Sequence, residues 1–290
     1  MKVAYLGLGK MGAPMAHHLS EAGHNLSIFN RSQQKSKQWI EQHPKHQICF
    51  SAKEACQNVD AVILCVGNDN DVRNLLLGEQ GAIHNLEKGS IVIDHTTTSA
   101  ELAQEMHSKL DSLQVDYIDA PVSGGEQGAL NGQLTIMCGG DPSPVKRAEK
   151  ITQCYAKAFT HMGPSGSGQL TKMVNQISVA GLIQALAEGI HFAQRAGLNV
   201  EQVMSTLGEG ASSSWQMINR HRTMNEDEYN HGFAINHMRK DLDICLKSAQ
   251  HINANLPITS IVNDFYKELQ SQNMGELDTS ALLKRLQNLS

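Results

Sequence analysis

No part of this chain is apolar for long enough to cross a bilayer. The longest strongly hydrophobic run, Ala61 to Val66, falls well short of the roughly 20 residues a membrane helix needs. Clusters of Lys and Arg are missing as well. With a net charge of −5 and no basic run able to neutralise a row of phosphates, neither a membrane nor nucleic acid is expected as a partner. The six cysteines, Cys49, Cys56, Cys65, Cys138, Cys154 and Cys245, include no C-x-x-C pair. A chain of this length needs no disulfide staples, so the thiols are expected to be reduced and the protein cytoplasmic. The amino terminus has one basic residue and a short apolar run that stops at Gly7. It lacks the longer apolar region and cleavage site of a signal peptide, so the mature chain is expected to begin here.

What is present reads as a folded, soluble protein. Its 290 residues suggest two domains at roughly 100–200 residues each, and 40% hydrophobic with 18% charged residues is globular usage. The first half alternates short β-rich runs with helical stretches, which predicts a mostly parallel sheet with helices on its faces. The strand candidates are 2–6, 25–29, 60–66, 90–94, 115–118 and 134–138. The third and fourth carry Val and Ile with little polar alternation, as strands buried on both faces do, and are placed at the sheet centre. Beyond Cys138 two turn clusters, Gly139-Gly140-Asp141-Pro142 and Gly163 to Gly168, precede an uninterrupted helical stretch from Gln169 to Ala196. Its apolar residues, among them Leu170, Met173, Val174 and Leu182, cover more than one face, so the helix is expected to be buried among others. Everything after Gly197 reads as further helices. The expected fold class is an α/β Rossmann domain over residues 1–163 and an all-α domain over 164–290, joined by the long helix.

Gly7-Leu8-Gly9-Lys10-Met11-Gly12 is a G-x-G-x-x-G directly after the first strand and opening a helix. In that setting the first glycine permits the turn, the second lets backbone approach a pyrophosphate, and the third lets helix and strand pack, while the helix N-terminus attracts the anion. The second strand ends at Phe29-Asn30-Arg31-Ser32, where an NAD-preferring fold usually offers an acid to the ribose 2′-hydroxyl. No acid stands there. Arg31 can pair with a 2′-phosphate and Asn30 and Ser32 add donors, so NADP is the expected cofactor, with NAD the weaker alternative.

Lys172 and Asn175 project from one face of the long helix, just after the second glycine cluster. A lysine near the nicotinamide can give a proton to, or take one from, the substrate oxygen that reacts. Asp119-Ala120-Pro121-Val122-Ser123-Gly124-Gly125 is a strand end running into two glycines whose N–H groups can hold a carboxylate. With the Lys240-Asp241-Leu242 block, these ordered motifs span nearly the whole chain, and the sequence resembles the β-hydroxyacid dehydrogenase family.

That resemblance implies a hydride transfer between a nicotinamide and a small 3-hydroxy acid or its semialdehyde, catalysed by Lys172. It also implies that Ser123, Gly124, Gly125 and Asn175 hold the substrate, with Phe233 and Asp241 close by, and that Thr97 and Lys240 lie near the cofactor. Many such proteins have a second Asn after the position of Asn175. This chain has Gln176, which resembles the tartronate semialdehyde reductase pattern. An imine reductase on the same fold typically lacks the lysine, and a non-catalytic NADP sensor would have little reason to keep it. Fourteen histidines form no metal-binding pattern, and no metal is expected. Met137, Met162, Met173, Met204 and Met217 read as core filler. A homodimer or homotetramer is expected, because a helix apolar on several faces must be covered.

Overall fold

A computed structural model describes residues 1–288, which form two compact units, Met1–Lys172 and the chain from Met173 onward. Among the described residues of the first unit, nine strands make one sheet: β1 (Lys2–Leu6), β2 (Asn25–Phe29), β3 (Gln47–Ile48), β4 (Ala61–Leu64), β5 (Ile91–Asp94), β6 (Asp116–Asp119), β7 (Val122–Ser123), β8 (Leu134–Gly139) and β9 (Ala156–Gly163). Their order is β3-β2-β1-β4-β5-β6-β8-β7, with β9 also pairing with β8. All pairs from β3 to β6 are parallel, β8 runs antiparallel to β6 and β7, and β9 is parallel to β8. The helices between them are α1 (Gly12–Glu21), α2 (Gln33–Gln42), α3 (Ala52–Ala55), α4 (Asp69–Leu77), α5 (Ala100–Asp111), α6 (Gly125–Leu130) and α7 (Pro142–Thr152). This is the expected Rossmann fold.

The sheet is buried on both faces because its central strands are apolar along most of their length. Val3, Tyr5, Ala61, Ile63, Ile91 and Ile93 enter one core with Met15, Leu19 and Trp39, whereas Ala4, Leu6, Val62, Leu64 and Val92 enter the opposite core with Val72, Leu102 and Met106. A period of two thus feeds two cores at once, which explains the absence of polar alternation in β4 and β5. Both sit at the centre, as expected.

Three strands were not expected. β3 and β7 have two residues each, too short for a periodic signal, and β9 is an edge strand that leaves Lys157, Thr160 and His161 in solvent. Pairing with β8, not composition, makes β9 a strand.

The long helix is α8 (Ser167–Arg195), followed by α9 (Val200–Leu207), α10 (Trp215–Asn225), α11 (Ile235–His251), α12 (Pro257–Ser271) and α13 (Leu282–Asn288). Ile183, Leu186, Ala187 and Ile190 of α8 pack with Met217, Met238, Leu242, Val262 and Tyr266 in the core of the second unit. The expectation that α8 is buried among other helices holds within this chain for one side only: Leu170, Val174 and Leu182 are exposed, along with Phe192. The later helices of this chain contribute apolar side chains enough to cover one side only. Met162 is also exposed, because it lies on the edge strand β9, so it fills no core.

Two carboxylates lie side by side at the ends of central strands, since Asp94 of β5 is the register partner of Asp119 of β6. Asp94 is fully buried, accepting from Thr96 N–H at 2.8 Å and Tyr117 OH at 2.9 Å. Burial outweighs these bonds and pushes its carboxyl up to about 7. The folded chain therefore retains a proton that the unfolded chain gives up near pH ~4, and the resulting stabilisation is complete below that pH and lost as pH rises to about 7. Asp94→Asn, which keeps the donor and acceptor pattern of the protonated acid, should gain stability relative to the unsubstituted chain from pH 5 to 7 by at most ~1.4 kcal/mol per pH unit. Above pH 7 its advantage should level off. Urea unfolding at pH 5, 6, 7 and 8 measures this, and a pH-independent difference would contradict it.

Candidate active site

The glycine loop follows β1, and its three glycines face different surroundings. A side chain at Gly7, whose φ is +107°, would strike the Cys65 carbonyl, and one at Gly12 would strike the Gly7 carbonyl. A side chain at Gly9 would meet nothing within 4 Å. Gly7 and Gly12 are thus required by backbone packing, while Gly9 keeps open a space that a Cβ would fill. The first turn of α1 carries no acid and no side-chain cap, which suits an anion. These features fit a dinucleotide pyrophosphate held by the backbone of Gly7, Leu8, Gly9, Lys10, Met11 and Gly12.

At the neighbouring strand end, Asn30 Oδ1 accepts the Leu8 N–H at 2.8 Å and its Nδ2 donates to the Ser32 carbonyl at 3.0 Å. Both ends of the Asn30 amide are engaged within the loop they shape. Arg31 and Ser32 are exposed.

The N-terminus of α8 is held from below. Asp119 accepts the Gly166 N–H on Oδ1 at 2.8 Å and the Gln169 N–H on Oδ2 at 3.0 Å. A carboxylate at a helix N-terminus satisfies donors that have no partner in the helix and opposes the helix dipole. Burial still raises its carboxyl to about 6, against the lowering by these N–H donors. One residue then ties the helix to the loop after β5: Gln169 Oε1 accepts from Thr98 N–H at 3.0 Å, and its Nε2 donates to the Thr96 carbonyl at 2.7 Å. Thr96 and Thr98 are buried, and Thr97 between them is half-exposed. Gln169 therefore grips both sides of the threonine that sequence reasoning assigned to the cofactor. Lys172 follows three residues later and is only 8% exposed, rare for a lysine.

Gly124 and Gly125 have φ of +129° and +62° and follow half-buried Ser123. Two successive left-handed residues are accessible to glycine at little cost, and both are exposed.

In the second unit a chain of contacts joins the remaining site residues. Asn175 Nδ2 donates to Gln176 Oε1 at 2.7 Å, and Gln176 Nε2 donates to Asp241 Oδ2, also at 2.7 Å. Lys240 Nζ pairs with Asp241 Oδ1 at 3.0 Å. Gln176, the departure from the family pattern, is thus the buried link from α8 to α11. Phe233 is half-buried, and its N–H is held by Asp278 Oδ2 at 2.8 Å. Asp278 also accepts from Ser280 N–H and Oγ and lies 3.7 Å from Arg220, whose guanidinium stands 4.9 Å from the Trp215 ring. Trp215 is exposed.

Sequence reasoning passed over Gln169 and Asp278, because a lone polar residue gives no signal until its partners are known. It also found no acid at the end of β2. The fold supplies one from α4: Asp71 lies 3.8 Å from Arg31. Among the described residues no group of three or more His, Cys, Asp or Glu is arranged to hold a metal, and no helix is long and apolar enough to cross a membrane.

A mostly parallel sheet with this glycine loop is the architecture of a dinucleotide-binding domain, and its relatives place the chain among NAD(P)-binding oxidoreductases. Residues 2–163 match the family described as the NAD binding domain of 6-phosphogluconate dehydrogenase, and residues 166–286 match NAD-binding of NADP-dependent 3-hydroxyisobutyrate dehydrogenase. The chain is 46% identical to an uncharacterized oxidoreductase of Shewanella frigidimarina, over 99% of this chain and 98% of that protein. It is 32% identical to 2-hydroxy-3-oxopropionate reductase of Escherichia coli, over 99% and 97%. The structure of Mycobacterium tuberculosis 3-hydroxyisobutyrate dehydrogenase with L-serine superposes with a TM-score of 0.87 at 28% identity, covering 98% of each chain. The chain belongs to the β-hydroxyacid dehydrogenase family, whose members are NAD(P)-dependent dehydrogenases and reductases acting on CH–OH groups.

Gln169→Leu keeps the bulk of the side chain and removes both of its amide contacts, leaving the Thr98 N–H and Thr96 carbonyl buried without that partner. A loss of about 2–4 kcal/mol is expected, measured by denaturant unfolding. A loss below about 1 kcal/mol, the worth of one ordinary hydrogen bond, would contradict this account of the loop.

Proposed function

We propose that this hydroxyacid dehydrogenase acts on a small 3-hydroxy acid and its semialdehyde, prefers NADP over NAD, and uses Lys172 as general acid and base. The carrying observation is the burial of Lys172 on a helix start tied to Asp119 and, through Gln169, to both sides of Thr97. When bound, the nicotinamide cofactor supplies or accepts the hydride. In the reducing direction the Lys172 ammonium gives its proton to the carbonyl oxygen and stabilises the charge developing there. In the oxidising direction its neutral amine takes the hydroxyl proton. Ser123 with the N–H groups of Gly124 and Gly125 receives the substrate carboxylate, and Asn175, Phe233 and Asp241 are further substrate-binding residues. The L-serine complex of the mycobacterial relative supports this class, since serine is itself a 3-hydroxy acid.

Residues 1–163 are assigned to the cofactor and residues 164–290 to substrate and oligomer contacts. Gly7 to Gly12 cradle the pyrophosphate, Thr97 and Lys240 contact the cofactor, and Arg31 and Ser32 receive the 2′-phosphate. Asn30 acts through the loop it shapes.

Lys172→Ala and Arg31→Ala should fail in opposite ways on the best 3-hydroxy acid found. Lys172→Ala should lower kcat by about 10²–10⁴-fold with cofactor Kd unchanged, and Lys172→Arg should rescue poorly because a guanidinium does not readily release a proton. Arg31→Ala should weaken NADPH, not NADH, and spare kcat at saturation. Near-native kcat in Lys172→Ala would move the proton donor elsewhere.

The oligomer follows from the uncovered side of α8. Val174, Leu182 and Phe192 are 63%, 45% and 71% exposed and fall on one face at about 100° per residue. A homodimer or homotetramer covering them is the reading this supports. Light-scattering mass at micromolar concentration tests it, and a monomer would refute it.

A further inference from the structure

The end of β2 carries no acid, yet the structure brings one beside Arg31 from the helix α4. Asp71 lies in the first turn of α4, and its carboxylate stands 3.8 Å from Arg31 Nη1. Its N–H is capped by Asn68 Oδ1 at 3.0 Å. Asp71 Oδ2 rests against Gly67, 2.5 Å from where a side chain on that glycine would begin. The carboxylate is thus folded back toward the end of β4, and its side chain is 31% exposed against 93% for Arg31. β2 and β4 flank β1 on opposite sides, so this pair spans the end of the strand that carries the glycine loop. The neighbouring Asp69 is otherwise engaged, with Oδ1 accepting from Ser99 N–H at 3.2 Å and Oδ2 from Ser99 Oγ at 2.5 Å.

We propose that Asp71 is a specificity-determining residue for the cofactor, competing with the 2′-phosphate of NADP for Arg31 and thereby limiting the preference for NADP over NAD. The inference rests on the reading of Arg31 as the 2′-phosphate residue. A phosphate monoester carries a charge of about −1.5 to −2 at neutral pH. On approaching Arg31 it meets a guanidinium already paired and a second anion close by. An unphosphorylated ribose brings no charge and meets no such opposition. Because the pair is exposed, solvent screens the repulsion, and the effect is a few-fold, not orders of magnitude.

The test is calorimetric titration of NADP⁺ and NAD⁺ into the full-length protein and its Asp71→Asn, Arg31→Ala and doubly substituted variants, at low salt and at 0.5 M salt. Asp71→Asn should tighten NADP⁺ about three- to tenfold at low salt, leave NAD⁺ unchanged, and lose most of its effect at high salt. In the Arg31→Ala background the same substitution should do less, since the contested partner is gone. If Arg31→Ala selectively weakens NADP⁺ but Asp71→Asn changes neither cofactor, or changes both equally, the inference is overturned while the reading of Arg31 stands. If Arg31→Ala weakens both cofactors equally, the reading of Arg31 itself falls.

Discussion

The carboxylate of Asp119 is the contact on which the placement of the proposed catalytic lysine depends. At the end of β6 it accepts N–H donors from Gly166 and Gln169 at the start of a 29-residue helix. A helix that begins at a fixed point has its later residues set by its pitch, so anchoring the first turn sets the height and bearing of Lys172. The arrangement carries a cost, because Asp119 neighbours Asp94 at the strand ends and burial raises both carboxyls. Backbone donors offset that cost at Asp119, and Tyr117 and Thr96 do so at Asp94. A polar cluster of this kind is worth its desolvation only when its hydrogen bonds are made.

The loops after β1, β2 and β5 are shaped by side-chain amides. Asn30 spends its amide on Leu8 and Ser32, and Gln169 spends its own on Thr96 and Thr98. Their neighbours Arg31 and Thr97 keep exposed surface. In each case a side-chain amide, which carries both donor and acceptor, fixes the backbone of a loop at two points. In the helical unit the amide of Gln176 instead links two side chains, reaching Asn175 and Asp241 together. A shorter asparagine at that position would lack one methylene of this reach.

Most of the parallel sheet was legible in the chain itself, because strands buried on both faces have few polar positions, and β4 and β5 show as Val and Ile runs. The glycine loop was legible because its spacing falls directly between a strand and a helix, and Gly7 and Gly12 answer steric demands of that turn. Short or edge strands such as β3, β7 and β9 were not, since their state is set by the strand beside them. Gln169 and Asp278 were equally silent, as their meaning lies in contacts with residues 45 or more positions away, from Gln169 to Thr98 and Thr96 and from Asp278 to Phe233.

By itself the sequence determined the order of the longer parallel strands and their helices, the glycine loop, the basic residue at the end of β2 and the spacing of Lys172 from Asn175, because all of these are local and depend on periodicity or on single-residue geometry. Only the tertiary structure decided which side of α8 is left uncovered, which carboxylate anchors it, and which acid stands beside Arg31. Those depend on where distant segments meet, and Asp71 is forty residues from Arg31 along the chain but 3.8 Å away once β1 lies between β2 and β4.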